Sequence, residues 1–132
     1  IDEVNGDEFL TLHFVESDGT MRLFLFLADM LHVLHSGGVL VCDELDRSLH
    51  PHMLDKIFEF FASPEHNPHN AQLLFTTHEA YVLQLLDKEQ ISFVEKENHR
   101  SIFWRLSDME GVTARDNYFA KYMSGAYGGI SK

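Results

Sequence analysis

Two acidic side chains, Asp43 and Glu44, follow directly on the apolar run Val39–Cys42. An apolar run without alternation is typical of a strand that is covered on both faces in a parallel sheet. Because unpaired charge is costly to bury, carboxylates at the end of such a strand indicate a metal ion or a polarised water. The other interpretation is a strand that ends in a solvated acidic turn, and these residues alone leave both open.

A second apolar run, at residues 73–76 (Leu-Leu-Phe-Thr), is followed by Thr77 and His78. An imidazole at the end of this strand is suited to contact a terminal phosphate beside the two carboxylates. We therefore expect the two strands to be neighbours in one sheet, with Asp43, Glu44 and His78 in one pocket. The alternative is a surface histidine, since the chain has nine histidines.

Residues 16–20 (Glu-Ser-Asp-Gly-Thr) lead into a segment with helical apolar spacing. Ser17, Gly19 and Thr20 would offer an anion backbone N–H groups, hydroxyls and the positive end of a helix dipole. The alternative is an ordinary helix N-cap formed by Ser17 or Thr20.

Strands and helices alternate along the rest of the chain. Apolar residues at three- and four-residue spacing predict a helix over 23–34 that Gly37 and Gly38 end, and Pro51 suits the first turn of a second helix. The side chains that this second helix is expected to bury are Met53, Ile57, Phe60 and Phe61. The other predicted elements are strands at 9–14, 91–94 and 102–104, a loop at 63–70, and short helices at 80–86 and within 116–130. The order predicts an α/β fold with a mostly parallel sheet and crossover helices.

Length and charge limit the classes of protein to which this chain can belong. The 132 residues predict a single domain over 1–132. Ten basic against 21 acidic residues give a net charge of −11, which disfavours a stand-alone binder of nucleic-acid phosphates.

The single cysteine, Cys42, which we expect to be buried, fits a reducing compartment. The acidic start at Ile1 is unlike a signal peptide, and no apolar segment is long enough for a bilayer, so we expect a cytoplasmic protein without membrane contact. Since the chain begins at Ile1 rather than methionine, we also expect it to be part of a longer protein.

The ordered set of motifs resembles the C-terminal half of an ABC-type ATPase head, and is most similar to the OLD-like AAA ATPases of bacteria. Residues 16–20 are similar to the signature motif, 38–44 to Walker B, 48–51 to the D-loop and 75–78 to the switch-histidine strand. The resemblance extends from about Phe9 to Ile130. It implies the C-terminal lobe of a P-loop NTPase head, with a mostly parallel sheet and a C-terminal hairpin.

The resemblance also implies roles and ligands. The cofactors would be ATP and Mg²⁺, with Asp43 at the metal through water, Glu44 as the general base and His78 as the sensor of the γ-phosphate. Ser17 and Gly19 would meet the γ-phosphate of ATP held by a second protomer in a head-to-head dimer. The dimer interface would be lined by residues 48–50, which include Ser48 and His50.

Departures from the transporter pattern favour the OLD-like branch. Glu16 replaces a leucine and Asp18 a glycine of the signature motif, and His50 stands where transporters carry an aspartate.

A phosphate-binding loop of the form Gly-x-x-x-x-Gly-Lys-Ser/Thr does not occur in the sequence. We expect it in an upstream half of the same protein, so the isolated chain should hydrolyse ATP negligibly. The full ATPase would serve defence or nucleic-acid processing, with a nuclease or DNA as partner. Two alternatives remain: a DNA-clamping head like those of chromosome-maintenance proteins, and a catalytically silent interaction module.

Overall fold

The computed structural model describes residues 18–97 and 99–128. The chain divides into two compact units, residues 1–78 and 79–132, and each is described by itself. The predicted strand at 9–14 and the signature-like residues Glu16 and Ser17 lie outside the described residues.

The first helix of unit 1, α1 (Asp18–Ser36), is longer at both ends than the predicted helix over 23–34. Met30 and Leu34 lie one turn apart on its buried side and are each 4% exposed. Phe24 and Leu31 belong to the same apolar spacing but are more than half exposed in the described part of the chain. Gly37 ends the helix as predicted, because its φ of +79° is a left-handed conformation that glycine adopts readily.

Within the described residues, the sheet of unit 1 is a parallel pair of strands, β1 (Val39–Cys42) and β2 (Gln72–Phe75), with Cys42 opposite Phe75. Alternate residues are half-buried or exposed, and Val41 and Leu74 are 70% and 62% exposed. The prediction that β1 is covered on both faces is therefore wrong for the described residues, because they cover only one face of this pair. For the same reason Cys42 is half-buried rather than buried.

The crossover between the two strands contains α2 (Pro51–Ala62), with Pro51 in the first turn as predicted. Its most buried side chains are Leu54 and Ile57, at 1% and 3% exposed. Of the predicted buried stripe, only Ile57 is fully buried, and Leu54 was not predicted. The remaining predicted members are half-buried: Met53, Phe60 and Phe61.

The predicted loop at 63–70 is fixed by one buried amide, Asn67, which is 7% exposed. Its Nδ2 donates to the carbonyl oxygens of Phe61 and Ala71, both at 2.9 Å, and its Oδ1 accepts the Ala71 N–H at 2.7 Å. These bonds satisfy a polar group that would otherwise be costly to bury, and they join the end of α2 to the start of β2.

Unit 2 contains the predicted hairpin, formed by β3 (Ser92–Glu97) and β4 (Arg100–Arg105) as an antiparallel pair. Phe93 lies opposite Trp104 and stacks on Tyr122 of α3 (Tyr118–Met123), with ring centroids 5.5 Å apart. The buried core of this unit comprises Ile91, Leu106, Tyr118 and Tyr127. Residues 80–86, predicted as a helix, instead form a 3₁₀ turn over Ala80–Gln84.

The fold is thus α/β as predicted, but the described strands form one parallel pair and one antiparallel hairpin in separate sheets. The expectation of a mostly parallel sheet holds only for β1 and β2. Over the described ranges, no helix is both long and apolar enough to cross a membrane.

Candidate functional site

The ends of β1 and β2 bring the sequence-predicted acids and histidine to one place. Because the strands are parallel and Cys42 pairs with Phe75, the residues that follow both strands leave the sheet at the same edge. The Thr76 N–H donates to the Cys42 carbonyl at 3.1 Å, and the Leu45 N–H donates to the Thr76 carbonyl at 2.9 Å. The predicted adjacency of the two strands is confirmed.

Thr76 connects the two carboxylate residues, a role that no spacing in the sequence indicates. Its Oγ1 accepts the Glu44 backbone N–H at 2.8 Å and donates to Asp43 Oδ1 at 2.5 Å. Glu44 lies in the left-handed region, with φ +52° and ψ +56°, which costs a side-chain-bearing residue about 1–2 kcal/mol. The Thr76 hydrogen bond helps to hold this strained conformation, and strain of this kind is often found at functional sites.

The Glu44 carboxylate lies between two groups that carry or can carry positive charge. Its Oε2 is 2.8 Å from an Arg47 guanidinium nitrogen, and its Oε1 is 3.9 Å from His78 Nε2. The His78 side chain is 84% exposed and that of Glu44 is 39% exposed, so both are open to a ligand from solvent. The contact between them becomes an ion pair only when the imidazole is protonated.

Asp46 attaches the turn after β1 to the end of β2. Its Oδ1 accepts the His78 backbone N–H at 3.2 Å, and its carboxylate is also hydrogen-bonded to the Thr77 side chain. Burial by itself would raise the pKa of Asp46, but these hydrogen bonds, with one from its own backbone N–H and the charge of His78, lower it below the usual value. Asp46 is therefore held as a carboxylate that positions His78.

A cavity of about 200 Å³ in unit 1 is lined by Asp43 and Glu44, whereas His78, which we expected in the same pocket, is not among its lining residues. Side chains of α1 form one wall, and the end of β1 with the following 3₁₀ turn (Leu45–Ser48) forms the other. The residues that line it are Arg22, Leu23, Phe26, Cys42, Asp43, Glu44, Leu45, Arg47 and Leu49. The cavity is bordered by both carboxylates and by two arginines. Desolvation, followed by the charge of Asp43, raises the pKa of the Cys42 thiol, so this lining residue remains a neutral thiol.

The other predicted site residues are placed differently. Gly19 lies in the first turn of α1, and Ser48 ends the 3₁₀ turn. His50 caps α2, because its Nδ1 accepts the His52 N–H at 3.4 Å, and its ring stacks on that of His52. In the part of the chain that the structure describes, no hydrogen bond or ion pair joins Gly19 or His50 to the acids and His78.

The chain was compared with models of known protein families. A family model of the AAA domain, whose description names the AbiEii toxin and the type IV TA system, matches residues 1–84, which is more than half of the chain. The chain belongs to this AAA family. No curated protein and no solved structure matches it in the same comparisons.

Membership of the AAA family associates the chain with a P-loop NTPase-like α/β fold, with nucleotide-binding ATPases and with the use of ATP and Mg²⁺. The strand-end acids fit such a metal. Mg²⁺ is commonly bound by one or two carboxylates with water and substrate phosphates as its remaining ligands. Asp43 is an exposed carboxylate at the expected position, and the described residues contain no group of three or more His, Cys, Asp or Glu side chains that would hold an ion by themselves.

Proposed function

We propose that this AAA-family chain carries the hydrolytic residues of an ABC-class, OLD-like ATPase. The observation that supports the proposal is the approach of His78 Nε2 to Glu44 Oε1, 3.9 Å apart at the shared edge of two parallel strands. Residues more than thirty positions apart in sequence are brought together with an acidic neighbour, Asp43, at the edge where open α/β sheets bind ligands.

The proposed reaction is the attack of water on the γ-phosphorus of ATP, with cleavage of the bond to the bridging oxygen and release of ADP and phosphate. Glu44 orients the water and accepts its proton, and His78 donates a hydrogen bond to the γ-phosphate. Asp43 would hold Mg²⁺ through water, and bound Mg²⁺ would neutralise phosphate charge. Arg47 fixes Glu44 Oε2, which directs Oε1 towards His78 and the incoming phosphate.

The chain supplies only part of the proposed nucleotide site. The phosphate-binding loop would come from an upstream half of the same protein. Ser17 and Gly19 would contact ATP held by a second protomer, with Ser48 and His50 at the interface of this dimer. The family description names a toxin system, which supports coupling of hydrolysis to defence.

The test is ATP hydrolysis by this chain joined to the proposed upstream half, compared with its Glu44→Gln variant. Glutamine keeps the shape but cannot accept a proton, so we expect turnover to fall by at least about a hundredfold, while ATP still binds and stabilises the dimer. Glu59→Gln is the matched control, since Glu59 lies on α2 and pairs only with Lys56 among the described residues. Its turnover should be unchanged.

Four results would contradict parts of the proposal. Undiminished hydrolysis by Glu44→Gln would remove Glu44 as the base. ATP binding with no turnover in the unmodified protein would favour a DNA-clamping head, and no ATP binding at all would favour a silent interaction module. Turnover by residues 1–132 alone, lost in Glu44→Gln, would contradict the need for the upstream loop.

A further inference from the structure

The outward face of the hairpin in unit 2 has a composition unlike the rest of the chain. Because residues opposite each other in an antiparallel pair point to the same side, three cross-strand pairs form this face. They are Ser92 with Arg105, Val94 with Phe103, and Lys96 with Ser101. This outer hairpin face therefore carries two cations, two hydroxyls and two apolar side chains, with no carboxylate, in a chain of net charge −11.

The outer hairpin face does not take part in the packing of unit 2. Phe103 is 61% exposed and Val94 is 67% exposed. The opposite face carries Phe93 and Trp104, and the Phe93 ring contacts those of Trp104, Tyr122 and Tyr127. Lys96 and Arg105 form no ion pair with any residue of this unit that the structure describes. The Phe103 ring and the charges of Lys96 and Arg105 are thus accessible to a ligand.

We propose that the outer hairpin face binds single-stranded nucleic acid, independently of the proposed ATPase site. An exposed aromatic ring on a sheet surface is the usual platform on which an unpaired base stacks. Lys96 and Arg105 lie two residues beyond the apolar pair, one at each end, where they meet the phosphates on either side of the stacked base. Ser92 and Ser101 add hydroxyl donors for sugar or phosphate oxygens.

A protein partner fits this face less well. The centres of protein interfaces are depleted of lysine and serine, whereas half of this face consists of these two residue types: Lys96, Ser92 and Ser101. The overall charge of −11 does not prevent binding, because repulsion is screened beyond about 10 Å at 0.1 M salt. The hairpin acids Glu95 and Glu97 lie on the opposite face, since they pair with Ile102 and Arg100.

The test is fluorescence anisotropy of a labelled oligothymidylate titrated with the full chain. We expect saturable binding. The logarithm of the association constant should fall linearly with the logarithm of the salt concentration, with a slope of about −1.4 for two phosphate contacts. Arg105→Glu should weaken binding at least about tenfold and reduce the slope. The matched control is Arg115→Glu, which changes the same charge at an exposed position of the same unit outside the hairpin. It should change affinity less than about twofold.

The stacking contact needs its own pair of variants. Phe103→Ala and Phe103→Leu should each weaken binding about tenfold, the second while preserving apolar bulk, and Met123→Ala is the control at another exposed apolar residue. Circular dichroism checks that each variant is folded. A ring-dependent loss in Phe103→Leu supports stacking even where Phe103→Ala is unstable.

Four outcomes would overturn the proposal. These are no binding at low salt, equal losses for Arg105→Glu and Arg115→Glu, duplex DNA bound as tightly as the single strand, and affinity unchanged in both Phe103 variants. Sedimentation provides a further check: self-association that Arg105→Glu abolishes would show that the face pairs with an acidic second copy instead.

Discussion

The backbone N–H of His78 donates to Asp46 Oδ1, 3.2 Å away, across 32 positions of sequence. This bond fixes where His78 leaves β2 relative to the turn that carries Glu44. Because the same carboxylate also binds Thr77, one acidic side chain aligns the end of the second strand with the acids of the first.

Removal of this acceptor should displace His78. We expect Asp46→Ala to lower the free energy of unfolding by about 1–2 kcal/mol, the usual effect of losing hydrogen bonds to a partly exposed carboxylate. The amide and ring resonances of His78 should also shift in NMR spectra. Asp46→Asn keeps an acceptor and should restore most of the native His78 shifts, whereas Asp29→Ala on α1 should leave them unchanged. Native His78 shifts in Asp46→Ala would show that Asp46 does not position it.

Acid should remove the stabilising effect of the Asp46 charge. The pKa of this carboxyl is lower in the folded chain than in the unfolded chain. The charge therefore contributes fully to the free energy of unfolding above the ordinary pKa of about 4, and this contribution is lost as the pH falls through the pKa of the folded chain. Urea denaturation of the wild-type chain and Asp46→Asn, from about pH 7 downward, measures this contribution. The difference in stability between the two should shrink at low pH. A difference that is independent of pH would contradict the assigned direction of the pKa shift.

Thr76 should be needed for the strained conformation of Glu44. Thr76→Val removes the hydroxyl that accepts the Glu44 N–H and donates to Asp43, and keeps the branched shape. We expect a loss of about 1–3 kcal/mol in thermal or urea unfolding. Thr76→Ser retains the hydroxyl and should lose less than half as much. A negligible loss in Thr76→Val, or a larger loss in Thr76→Ser than in Thr76→Val, would contradict this role of the hydroxyl.

Two buried tyrosines in unit 2 should respond oppositely to loss of their hydroxyls. Tyr127 Oη is buried with no hydrogen-bond partner among the described residues, whereas Tyr118 Oη donates to the Thr113 carbonyl at 3.1 Å. Burial is the main reason that the pKa of each phenol is raised. Tyr127→Phe should leave the melting temperature unchanged or raise it, and Tyr118→Phe should cost about 1 kcal/mol. A marked destabilisation by Tyr127→Phe would reveal a partner for its hydroxyl.

Local patterns in the sequence were enough to predict most of the described helices and strands, and their order. Helical spacing with Gly37, the proline at the start of α2, and the two apolar runs on either side of a polar turn predicted α1, α2 and the hairpin, because each signal acts over a few residues. The pattern of strand, crossover and strand also predicted that Asp43, Glu44 and His78 share an edge. Parallel neighbouring strands end at the same edge whatever their side chains.

The bonds that link the two strands depend on the tertiary structure. Thr76, Arg47 and Asp46 have no spacing that marks them as site residues, because their partners are set by strand register and by the left-handed turn at Glu44. The tertiary structure also determines which apolar residues are buried. Val41 and Phe103 have the same residue types as core positions, but burial depends on which elements pack against each face, and that information is not local in sequence.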